Sequence, residues 1–80
     1  MKIQIIKGEF NSHDAIDLVT QMVQVKIKYH ERKILRNENE EDLKLRESKI
    51  KMLQKELFDF RKNINSEANS IQLEGIIKIE

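Results

Sequence analysis

The spacing of apolar residues changes period twice along this chain and is broken once between, and those changes leave few ways to fold it. Residues 2–10 read KIQIIKGEF. Ile3 and Ile5 alternate with Lys2 and Gln4, the period of a half-buried strand. Ile6 falls on the other face, which therefore also expects apolar contact. Gly8 marks a bulge or the end of the strand. Asn11 and Ser12 then offer side-chain oxygens to cap a helix, and Asp14 puts a negative charge in its first turn.

From His13 the period becomes helical. Ala15, Ile16, Leu18, Val19, Met22, Val23, Val25, Ile27, Tyr29, His30 and Ile34 recur at spacings of three and four. At about 100° per residue they cover roughly 200° of arc, more than a surface helix uses. Such a helix needs neighbours on more than one side. Lys26 and Lys33 project from this broad face, so they snorkel or meet a carboxylate. Residues 13–35 are the expected helix. Apolar residues then disappear, and the turn is placed at residues 36–39. Asn39 and the acids Glu40, Glu41 and Asp42 read as the start of a second helix.

The second helix, residues 40–64, carries a cleaner signal. Leu43, Arg46, Ile50, Leu53, Leu57, Phe60 and Ile64 form a heptad seam with one arginine in it. Asp42–Arg46, Glu40–Lys44 and Glu47–Lys51 are acid-before-base pairs one turn apart. Leu45 and Met52 lie on the opposite side, seven apart. Asn63, Asn65, Ser66, Asn69 and Ser70 form a polar stretch that ends the helix. Residues 70–80 return to period two, with Ile71, Leu73, Gly75, Ile77 and Ile79 on one face and Gly75 as a bulge candidate.

The resulting fold class is α+β, in the order β-α-α-β and within one domain. Helices of this length run about 35–39 Å and return the chain to its starting end. The last strand then lies antiparallel to the first. Two strands alone are marginal in water, and both are edges. Eighty residues support only a small core, and with no cysteine in the chain neither a disulfide nor a thiolate zinc site reinforces it. Completion by a homodimer follows, with pairing of strands within or between chains both open. No stretch approaches a membrane span or a signal-peptide core, so a soluble cytoplasmic protein without membrane contact is expected.

Three classes of function are compatible with this organisation. The first is a non-enzymatic interaction or assembly module. Its contact surface would involve Tyr29, His30, Leu45, Met52, Ile77 and Ile79, and its partner would be a second copy or another protein. His30 would lie at a helix or subunit contact, where its titration near neutrality would make the contact pH-sensitive. The second class, the alternative, is a small nucleic-acid-binding or regulatory protein. It would use Lys28, Arg32, Arg36, Lys44, Lys51, Lys55 and Lys62 as a basic face. That reading is less favoured, because the net charge is only +1 and no aromatics interleave the patch. The third class, an enzyme, has little to build on. No nucleophile elbow or phosphate loop occurs, and no cofactor is expected. His13 and Asp17 share a helix face but lack the third ligand a zinc ion needs.

Overall fold

The computed structural model describes residues 1–36, 38–64, 67 and 69–80. Asn37 of the expected turn, and Asn65 and Ser66 of the polar stretch, lie outside the described residues. The elements are β1 (Lys2–Phe10), α1 (Ser12–Leu35), α2 (Glu40–Asn63) and β2 (Ile71–Lys78). The helices form a hairpin, and the strands form a two-stranded antiparallel sheet. The chain is therefore α+β in the order β-α-α-β.

Capping sets where the helices begin. The Asn11 side-chain oxygen accepts from the Asp14 backbone N–H at 2.8 Å, so α1 starts at Ser12, one residue earlier than periodicity alone implies. Asn39 does the same for α2, accepting from Glu41 at 2.9 Å and Asp42 at 3.3 Å. At the other end Ile64 has extended backbone and closes α2 instead of extending it.

Every member of the α2 seam (Leu43, Arg46, Ile50, Leu53, Leu57, Phe60 and Ile64) is half-buried. The facing stripe on α1 is Ile16, Thr20, Val23, Ile27, His30 and Ile34, spaced four and three alternately and shielded to the same degree or more. A second stripe on α1, Leu18, Met22, Val25 and Tyr29, has no such partner; Met22, Val25 and Tyr29 are exposed. The broad apolar arc thus meets α2 along its length and the sheet near its first turn, and this second stripe stays exposed among the described residues. Of the acid-before-base pairs, Asp42–Arg46 closes at 3.2 Å. Among the described residues Glu40–Lys44 and Glu47–Lys51 do not form ion pairs.

The sheet departs from the expected bulge positions. The bulge lies at Ile5, between the pairs Gln4–Ile76 and Ile6–Gly75. Gly8 instead pairs with Leu73 inside β1, at φ 152°, a backbone conformation that disfavours side chains. Gly75 sits opposite the bulge, and a Cβ there would lie 3.1 Å from Ile6 Cγ2 and 3.3 Å from Ile5 Cγ2. The bulge therefore turns both isoleucines to one side, and the glycine makes room for them. That corrects the expectation that Ile6 leaves the face of Ile5. The register makes one face continuously apolar, from Phe10–Ile71 through Gly8–Leu73 and Ile6–Gly75 to Ile3–Ile77. The other face carries Glu9–Gln72, Lys7–Glu74, Gln4–Ile76 and Lys2–Lys78.

The sheet meets the hairpin only through α1; no described Cα of α2 comes within 8 Å of a strand. Ser12 and Ala15, in the first turn of α1 beside the end of β1, are buried there. The Cα positions span 46 × 33 × 13 Å, so the chain is a plate one layer thick. Among the described residues no large side chain is fully buried.

Candidate functional site

Among the described residues the most enclosed polar side chain is His30, 5% exposed, on the seam stripe of α1. Heptad spacing puts Arg46 across from it on α2. Arg46 Nη1 lies 3.1 Å from His30 Nδ1, and Arg46 Nε donates to Asp42 Oδ2 at 3.2 Å. Arginine has only donors, so Nδ1 must accept and the proton of the neutral ring sits on Nε2. Nε2 is buried and has no partner among the described residues, as is Thr20 Oγ1 two turns and more down the same stripe. Burial first, then the positive charges of Arg46, Lys49 and Lys26, hold the His30 pKa below its usual 6.5. The imidazole is thus kept neutral.

Tyr29 lies next to this pair. Its ring meets the His30 ring edge-on, with centroids 5.4 Å apart. The Arg46 guanidinium lies 5.8 Å from the Tyr29 centroid and the Lys33 ammonium 5.7 Å. Both distances allow a cation–π attraction, and this is how Lys33 is accommodated on the apolar face without a carboxylate. At about 100° per residue, Met22 and Tyr29 project from the same side of the hairpin as Leu45 and Met52. All four are exposed. Of the residues expected at a contact, Tyr29, Leu45 and Met52 therefore share one exposed face, whereas His30 is buried in the seam beside it. Ile77 and Ile79 are exposed at the far end of the sheet.

The basic residues are distributed differently. Lys28 and Arg32 line a shallow depression with Val25, Glu31 and Leu35. Arg36 joins Arg32, Tyr29 and Lys33 in another. Lys51 and Lys55 share a depression with Met52, Glu56 and Asp59, and Lys62 one with Leu57, Phe58 and Arg61. Lys44 is exposed on α2. Each of these depressions belongs to one helix, and none gathers cations from both. His13 is exposed, and Asp17 accepts from Gln21 Nε2 at 3.0 Å. Among the described residues no three histidine, cysteine or acidic side chains cluster as a metal site would require, and no helix is long and apolar enough to cross a membrane.

Sequence reasoning placed Arg46 in the seam and His30 near the apolar face but did not pair them. The signal was present: both fall on heptad positions of facing helices. It missed Ile76, the one apolar residue on the polar face of β2, which is 48% exposed. Comparison with protein-family models, curated proteins and solved structures finds no match to this chain.

Proposed function

We propose that this chain is a non-enzymatic interaction and assembly module that acts as a small homo-oligomer. The observation that carries the reading is the absence of a closed core among the described residues. Ala15 is the buried apolar residue, while Met22, Val25, Tyr29, Leu45 and Met52 stand in water on the hairpin. A domain stabilises itself by packing two layers against each other, and this chain presents one. Further copies of the chain supply the cover that these side chains lack. The near balance of 15 basic and 14 acidic side chains allows like copies to approach without strong repulsion. The basic residues, split between separate helices, support a nucleic-acid surface less well.

Sedimentation equilibrium at micromolar concentration tests the reading. The expected mass is a multiple of the 9.6 kDa chain. A folded species at the mass of one chain would overturn it.

A further inference from the structure

We propose that two copies join through the free edge of β2, antiparallel about a two-fold axis at Ile76, to form a sheet in the order β1-β2-β2-β1. This rests on the reading of the chain as a homo-oligomer and names one contact between copies, which widens the sheet and is separate from any covering of the hairpin's exposed side chains. Only one of the two sheet edges suits pairing. β1 carries the bulge at Ile5 and the unusual backbone of Gly8, irregularities that blunt an edge. The extra residue at the bulge belongs to β1, and β2 keeps strict alternation.

The backbone groups of β2 point the right way. Ile79 exchanges both hydrogen bonds with Met1, at 2.8 and 3.0 Å. Orientation alternates along a strand, so Gln72, Glu74, Ile76 and Lys78 turn their N–H and C=O groups to the free edge. A two-fold axis at Ile76 pairs these groups with their symmetry mates.

Charge selects this register. It sets Glu74 beside Lys78 of the second copy, twice, and Ile76 beside its own mate. An axis at Leu73 or Ile77 would give no such pair, and an axis at Glu74 would oppose two glutamates. A shift by a single residue in pairing would set the apolar face against the polar one. Two observations lose their oddness. Ile76, isolated among polar neighbours, becomes the centre of the contact. Lys78, directly opposite Lys2 within the chain, acquires an acidic neighbour on its other side. The apolar face also becomes continuous over four strands.

Two variants test this. The chain has no cysteine, so Ile76→Cys introduces a single thiol. At the axis its Cα would lie about 5.5 Å from its mate, within disulfide reach. Gln72→Cys is the control, about 27 Å from its mate at eight residues' offset. Mild oxidation should link Ile76→Cys into covalent dimers and leave Gln72→Cys unlinked. Lys78→Glu improves the pairing with Lys2 inside the chain but opposes Glu74 of the second copy. It should raise the dissociation constant about tenfold, and adding Glu74→Lys should restore it. An oligomeric wild type with equal linking of both cysteine variants, and no effect of Lys78→Glu, would overturn the β2 edge while leaving the assembly reading intact. A monomeric wild type would overturn both.

Discussion

His30 holds a seam position that an aliphatic side chain would fill without leaving a polar atom unmet. A buried Nε2–H without an acceptor costs about 1–3 kcal/mol. The hydrogen bond from Arg46 to Nδ1 offsets part of this and also fixes the proton on the other nitrogen. The unfolded histidine takes up a proton near 6.5, while burial and then Arg46, Lys49 and Lys26 lower the folded value. Above 6.5 both states are neutral and the full stability is present. As pH falls below it, the unfolded state binds a proton that the folded state resists, and stability declines. The thermal midpoint should therefore drop between about pH 7.5 and about pH 5.5, and His30→Leu should flatten that slope. An unchanged slope in the variant would place its source elsewhere. Ile5 and Gly75 make the complementary point at this scale. Neither the bulge nor its position could be read from KIQIIKGEF, because alternation of Ile3 and Ile5 is compatible with a regular strand. Only the opposite strand, with its missing Cβ, decides which residue is extra.

At the scale of elements, the two helices differ in how legible they were. The α2 seam has an apolar residue at six of its seven positions and Arg46 at the other, with little competition, so its members are identifiable and all are half-buried. The first helix offers apolar residues over half its circumference. Two stripes fit helical spacing equally well there, and contact with α2 selects Ile16, Thr20, Val23, Ile27, His30 and Ile34. Leu57 tests the seam. Leu57→Asp places an unpaired carboxylate between the helices, at a cost of several kcal/mol. A chain of this length has roughly 4–12 kcal/mol in total, from about 0.05–0.15 kcal/mol per residue. The variant should lose its cooperative thermal transition by circular dichroism; an unchanged transition would refute the seam.

The whole molecule is a plate 13 Å thick whose sheet rests on one helix only. Shielding a seam from both sides takes more than one layer, which explains why its members reach only half-burial. If copies complete the fold, folding and association are linked. The thermal midpoint should then rise with protein concentration, by mass action. Differential scanning calorimetry over a hundredfold range of concentration measures this directly, and an invariant midpoint would show that one chain folds alone. The candidate contact surface was partly legible at this scale. Leu45 and Met52 stand out because they fall off the α2 seam, whereas Tyr29 is one of many apolar residues on α1 and its common face with them depends on how the two helices pair.

By itself the sequence determined the order and kind of the four elements and the helix starts. Period, capping residues and first-turn acids are local, and each acts within a few residues of its own position. Tertiary structure alone decided which stripe of the first helix meets the second, that Arg46 donates to His30, and where the sheet bulges. It also decided that the sheet meets one helix only, which leaves Ile3, Ile5 and Ile77 of its apolar face exposed. Those outcomes depend on residues distant in the chain meeting in three dimensions, where register, volume and charge act between elements and no local pattern specifies the match.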